Sequence, residues 1–219
     1  MIIPKLFIFD MDGLLLDSEA AFMETLKELN ASYGYTLTRD IYEETLGLAY
    51  DATCRVMKQH FGEDYPYDSI AKEGRRLQNQ KAAENGLPVK PGIPELLTQL
   101  QEAGIPACVA SSSPRRTVEI YLSSSQLLPY FSYIASGDDI TRSKPDPEIF
   151  LLCCQRYGIA PEDALVLEDS ENGIRAALTG NIPVVCIPDM KQPAEALLQQ
   201  TAATVPDAFA LSELLFHPM

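Results

Sequence analysis

The sequence predicts an α/β fold, an open doubly wound parallel sheet with a helical insertion after its first strand. Three observations carry that expectation. Five short apolar runs, Leu6–Phe9, Ala107–Ala110, Tyr133–Ala135, Ala164–Leu167 and Val184–Ile187, lack clean alternation, as strands covered on both faces do. Helical patterns lie between the later runs, and a strand–helix alternation implies a parallel sheet. The long stretch between the first two runs contains helix-like sequence throughout.

The first run, Leu6–Phe9, ends at Asp10 and Asp12, with Gly13 free to turn the chain. From Asp17 to Pro88 the alternation stops. "SEAAFMETLKELNASYG" is the clearest helix there, and "ENGLPVKPG" supplies the Gly and Pro residues of a hinge. The expected division is therefore a core of residues 1–16 and 89–219 and a helical unit of residues 17–88. In the core, Ile93, Leu96, Leu97 and Leu100 follow the i, i+3, i+4, i+7 rule, with a stop near Gly104. A second core helix is predicted from about Asp146, with Pro147 at its first position and Gly158 as its stop.

Composition narrows the function. The 219 residues are 46% hydrophobic, enough for one substantial core and a small accessory unit. With 17 Lys and Arg against 31 Asp and Glu, the formal charge is −14, which disfavours nucleic acid or an anionic membrane surface as partner. No apolar run approaches the ~18 residues of a membrane span. The N-terminus lacks the basic segment of a signal peptide. Five cysteines without a CxxC pair read as reduced thiols of a cytoplasmic protein.

Four polar clusters follow predicted strands or the loops beyond them: Asp10 and Asp12, Ser111 after "ACVA", Lys144 in "SKPDPEIF", and Glu168 with Asp169 after "ALVL". In an open α/β sheet, ligands bind beyond the carboxyl ends of the strands, so these clusters can meet. Their chemistry suits phosphoryl transfer: Asp10 as nucleophile, Asp12 as general acid and base, Ser111 and Lys144 on phosphate, Glu168 and Asp169 on a divalent cation. So many carboxylates oppose an anionic substrate unless a cation and a lysine offset them, which implies Mg²⁺. A calcium loop is excluded at "DMDG", because Leu14, Leu15 and Ala21 stand where that loop needs a ligand, Gly and Glu. Asp146 reads as a helix cap. His60 and His217 lie outside every cluster and read as surface residues, as do Glu19, Arg75 and Arg76, although these last three could also reach a substrate.

"FDMDGLLLDSE", "VASSSP", "SKPDPEIF" and "LEDSENGIRAA" resemble, in order, the four motifs of the haloacid dehalogenase superfamily, in its phosphatase and β-phosphoglucomutase-like branch with a helical cap. The resemblance implies a Rossmann-like core, with residues 17–88 as the cap. It implies an aspartyl-phosphate on Asp10, proton transfer by Asp12, phosphate binding by Ser111 and Lys144, and Mg²⁺ held by Asp10, the Asp12 carbonyl, Glu168 and Asp169. Ser170 is expected just outside the ion's direct contacts. The implied function is a Mg²⁺-dependent phosphatase of a small phosphorylated metabolite, with a sugar phosphate favoured. A phosphosugar mutase and a noncatalytic phosphometabolite-binding protein are the alternatives. Asp12 argues against a dehalogenase or a phosphonate hydrolase. Phe22 and, less securely aligned, Tyr50 stand where the mutases carry a histidine and an arginine. Oligomeric state stays open, and a monomer is compatible with the sequence.

Overall fold

The computed structural model describes residues 3–216; His217 lies outside them. Its sheet has six strands, all parallel, in the order β3 (Tyr133–Ala135), β2 (Ala107–Ala110), β1 (Leu6–Phe9), β4 (Ala164–Glu168), β5 (Val184–Cys186) and β6 (Ala203–Thr204). The chain builds outward from β1 through β2 to β3, then returns to place β4 on the other side of β1. That reversal opens a crevice beyond β1, where such sheets bind ligands.

The apolar runs divide by parity. Phe7 and Phe9 of β1 join Val109, Leu165, Leu167 and Val185 on one face. Leu6 and Ile8 join Cys108, Val166, Val184 and Cys186 on the other. Both faces are covered, so both parities are apolar and the alternation disappears from the sequence. Helix α5 (Ile93–Glu102) buries Ile93, Leu96, Leu97 and Leu100, as their spacing predicts. Helix α7 (Glu148–Tyr157) buries Ile149, Phe150, Cys153 and Cys154 on the opposite face. It starts later than expected: Pro147 is its N-cap, and the Asp146 carboxylate accepts the Glu148 N–H at 3.0 Å. Gly158, at φ 64°, ends it in the left-handed conformation.

Two strand limits differ from the sequence reading. β4 runs on to Glu168, which pairs with Cys186 despite its charge, and β5 stops at Cys186. β6 has two residues and no apolar run to announce it. All five cysteines are free thiols.

Between β1 and α5 lie α1 (Ser18–Ser32), α2 (Arg39–Glu43), α3 (Tyr50–Phe61) and α4 (Tyr67–Asn85). They enclose an apolar cluster of their own that includes Met23, Leu26, Tyr42, Met57, Tyr65 and Ile70. The chain enters and leaves this unit side by side. Leu16 and Val89 form an antiparallel bridge, the Asp17 N–H donates to Pro88 O at 2.9 Å, and the Lys90 N–H donates to Leu15 O at 3.0 Å. On the sheet side, α4 packs against α6 (Arg115–Ser124), where Tyr121 Oη donates to Asn79 Oδ1 at 3.0 Å. No helix among the described residues is long and apolar enough to cross a membrane.

Ile8 is fully buried in the central strand. Ile8→Ala is expected to lower stability by about 2–5 kcal/mol, the cost of a large-to-small change in a core that cannot collapse. Chemical denaturation checks this, with a lower midpoint and an unchanged slope as the expected result.

Candidate active site

Three neighbouring strand ends and one loop supply the polar groups. Asp10 follows β1, where its N–H donates to Leu167 O at 3.0 Å; Ser111 follows β2, where its N–H donates to Ala135 O at 3.0 Å. Glu168 closes β4 and Asp169 follows it. Lys144 arrives from the loop between β3 and α7. The structure thus brings all six sequence-predicted residues to one end of the sheet.

Lys144 Nζ is the hub. Its side chain is 6% exposed, and its three protons go to Asp10 Oδ1, to Glu168 Oε1 at 2.7 Å and to Ala110 O at 3.0 Å. Burial alone would pull its pKa down, but the charges of Asp10 and Glu168 outweigh burial and hold the ammonium protonated. Burial pushes the Asp10 carboxyl up; Lys144 pulls it back, and Glu168 and Asp12 add to the rise. Asp169 is raised as well, first by burial and then by Glu168, Asp10 and Asp189. A cation among these groups would relieve that penalty.

Glu168 is fully buried. Its Oε2 accepts the N–H groups of Asp169 and Ser170 at 3.0 Å and Ser170 Oγ at 2.9 Å. Ser170 in turn caps α8 (Glu171–Thr179), its Oγ accepting the Gly173 N–H at 3.1 Å. Both Glu168 oxygens are therefore engaged with the protein, one by Lys144 and one by the start of α8. Asp12 is held from two sides: Oδ1 accepts from Ser18 Oγ at 2.7 Å, and Oδ2 from Ser113 Oγ at 3.0 Å and Ser111 Oγ at 3.4 Å. Ser111 is itself fully buried.

Gly13 lets these groups approach. At φ 82° it turns the chain out of β1, and an added Cβ would stand 2.5 Å from Asp169 Oδ2 and 3.0 Å from Asp189 Oδ2. The donors are oxygens, the set a hard cation such as Mg²⁺ takes. Among the described residues no three Asp, Glu, His or Cys side chains form a ready-made cage. Asp10, the Asp12 carbonyl and Asp169 are the groups available to hold such a cation, with Glu168 behind them on Lys144.

The site opens into a cavity of about 950 Å³ between the sheet end and the helical unit. Here the surface reading of Glu19 is corrected; Arg75 is exposed, as read, and also borders the cavity. Glu19 faces the cavity, where Tyr42 Oη donates to its Oε2 at 2.7 Å, and burial pushes its carboxyl up. Arg75 lies along the same wall, its guanidinium 5.8 Å over the Phe22 ring. Helical spacing, which places residues of α1 and α4 on one inner face, is the signal that could have shown this. Arg76 is exposed and paired with Glu73, and His60 is paired with Glu44 at 3.0 Å, outside the cavity. Phe22 is in the cavity wall; Tyr50 is exposed and donates to Asp68. Sequence reading missed Ser18, Ser113, Gln78, Asn79 and Asp189 as cavity residues.

Comparison with known proteins agrees with this geometry. The profile of the haloacid dehalogenase-like hydrolases matches residues 7–187. The chain belongs to that family. A Drosophila melanogaster protein named "Probable pseudouridine-5'-phosphatase" is 32% identical over 83% of this chain and 80% of its own. A Thermotoga maritima "Phosphorylated carbohydrates phosphatase" is 31% identical over 80% and 81%. A solved Thermotoga maritima structure titled "putative beta-phosphoglucomutase" superposes with a TM-score of 0.79, at 29% identity over 96% of both chains. These relatives place the hydrolase in the phosphatase and β-phosphoglucomutase-like branch.

Gly173 leaves no room for a side chain: a Cβ there would lie 1.8 Å from Glu168 Oε1, whose carboxylate is pinned by Lys144 and Ser170. Gly173→Ala is expected to cost about 1–3 kcal/mol by overpacking, a melting temperature lower by roughly 2–4 °C per kcal/mol at this chain length. An unchanged melting curve would show that Glu168 is not fixed against α8.

Proposed function

We propose that this hydrolase is a Mg²⁺-dependent phosphatase of a small phosphorylated metabolite, with sugar phosphates as the favoured class, working through an aspartyl-phosphate on Asp10. The observation that carries the reading is the meeting of Asp10, Asp12 and Lys144 beyond β1. The named phosphatases among the relatives, one of them a phosphatase of phosphorylated carbohydrates, support it. A cavity of about 950 Å³ with Glu19, Gln78 and Asn79 in its wall suits a small leaving group rich in hydroxyls.

In the first step Asp10 attacks phosphorus, the bond from phosphorus to the leaving oxygen breaks, and Asp12 gives that oxygen a proton. In the second step Asp12 takes a proton from water, the water oxygen attacks phosphorus, and phosphate leaves as Asp10 is regenerated. The serines around Asp12 fix its direction. Lys144 favours the ionised form of Asp10 against the effect of burial and meets the phosphate's charge, with Ser111 and the loop after β2 beside it. When bound, Mg²⁺ neutralises charge shared by phosphate and carboxylates. Residues 17–88 act as a cap that contacts the leaving group and excludes bulk water.

The mutase alternative needs groups that bind a second phosphate. Phe22, in the cavity wall, can neither exchange a proton nor donate a hydrogen bond, and Tyr50 has no guanidinium fork. Phosphatase chemistry is therefore favoured.

Phosphate release from a panel of phosphorylated metabolites, with p-nitrophenyl phosphate as reference, tests the reading. Asp10→Asn is expected to abolish turnover of every substrate, and activity close to wild type would remove Asp10 as nucleophile. Asp12→Asn should spare p-nitrophenyl phosphate more than natural monoesters, because an activated leaving group needs less protonation. Lys144→Ala should cost about 10²-fold or more. EDTA should suppress activity and Mg²⁺ restore it; full activity without metal would sink the cation's role. With β-glucose 1-phosphate and a bisphosphate activator, glucose 6-phosphate should form more slowly than phosphate leaves the best monoester, and the reverse order would make the mutase reading first.

A further inference from the structure

Asp189 follows β5 by the same logic that places Asp10 and Asp169 after β1 and β4, yet neither the motifs nor the proposed chemistry uses it. Its side chain is 7% exposed and lies in the cavity wall. Oδ1 accepts from Lys90 Nζ at 2.5 Å. Oδ2 has no partner, and it is the one buried side-chain oxygen or nitrogen among the described residues of which that is true. A buried carboxylate oxygen left unpaired is costly.

Asp169 lies close to Oδ2. An added Cβ on Gly13 would lie 3.0 Å from Asp189 Oδ2 and 2.5 Å from Asp169 Oδ2, so the two oxygens are no farther apart than the sum of those distances. Two carboxylates this close beside a bare backbone turn repel unless a cation lies between or near them. Lys90 offsets only the far oxygen. Its side chain is 21% exposed, and its Nζ also stands 3.9 Å from Asp17 Oδ1, so its charge is shared and partly solvated.

We propose that Asp189 is a further carboxylate of the divalent-cation site, acting beside Asp169, and that Lys90 tempers its charge from the linker between the helical unit and the sheet. The inference rests on the Mg²⁺ dependence proposed above. It accounts for an unpaired carboxylate oxygen beside Asp169.

The test is Mn²⁺ binding to the full chain without substrate, followed by electron paramagnetic resonance of free Mn²⁺, so that turnover does not enter. Asp189→Asn keeps the shape and can still accept from Lys90, and Asp189→Ser serves if the asparagine variant folds poorly. Either is expected to weaken Mn²⁺ binding by about 10-fold or more, the usual loss when a group supporting a metal's ligands is removed. Lys90→Met, which removes the opposing ammonium, is expected to bind Mn²⁺ no more weakly than wild type. If the Asp189 variants bind as wild type does while Lys90→Met and Asp189→Asn lower the melting temperature alike, the pair is a structural tie and the inference is overturned. If Lys90→Met weakens Mn²⁺ as much as Asp189→Asn, the ion responds to the linker's position and Asp189 is not part of its site. A wild-type chain that binds no Mn²⁺ would remove the cation itself, and with it the proposed metal dependence, which is a different failure from an unaffected Asp189 variant.

Discussion

The buried ammonium of Lys144 is the contact on which the rest of the site depends. Asp10 and Glu168 end adjacent strands, and the β1–β4 pairing brings their carboxylates to the same end of the sheet. Two such charges in a desolvated pocket would either neutralise by taking up protons or push the strands' ends apart. Lys144 bonds both at once and anchors itself on the Ala110 carbonyl, so one side chain joins β2, β1 and β4 through their ends. Its ammonium lies over the Phe150 ring, 4.8 Å from ring centroid to Nζ, a contact that reaches it from α7. A charge pair of this kind adds little net stability against an apolar alternative. It does give the site one geometry and one pattern of charge.

Around that hub, rigid and adjustable parts are separated. The strand ends, Ser18 and Ser111 are buried, and the start of α8 and the serines that hold Asp12 are tied by hydrogen bonds. Such networks keep catalytic groups in place without reorganisation when charge develops. The opposite wall of the cavity comes from α1, α4 and the loop after α2, with its own apolar cluster and more solvent around it. Under the proposed function, chemistry at phosphorus and recognition of the leaving group would belong to different parts of the chain, in contact through α4 on α6 and through Tyr121 on Asn79.

The fold and the reacting groups were legible for reasons that can be named. Strands covered on both faces are written as unbroken apolar runs, so β1 to β5 were visible, while β6, with two residues and no such run, was not. Glu168 was read as a residue beyond its strand because charge normally ends one; its pairing with Cys186 shows that a backbone ladder continues wherever the side chain finds a buried partner. Asp10, Asp12, Ser111, Lys144, Glu168 and Asp169 were found because strand ends and motif order bring them together. Glu19 was misjudged because a charged residue on a helix is solvent-exposed by default, and only the packing of α1 against the rest of the helical unit turns that face inward. Asp189 obeys the strand-end rule but stands alone, without a second polar residue to mark it.

The paired linkers bear on how this chain tolerates length. Because Leu16 and Val89 are bridged, the two ends of the helical unit are already closed on one another when the sheet is formed. The entropy of loop closure grows only with the logarithm of loop length, about 0.6 kcal/mol for each doubling. Extra residues placed at the turn after α1, among positions 33–37, or after α3, among positions 62–66, would therefore tax the sheet very little. The helical wall of the cavity can be lengthened or exchanged at little entropic penalty to the strand ends that gather the polar groups.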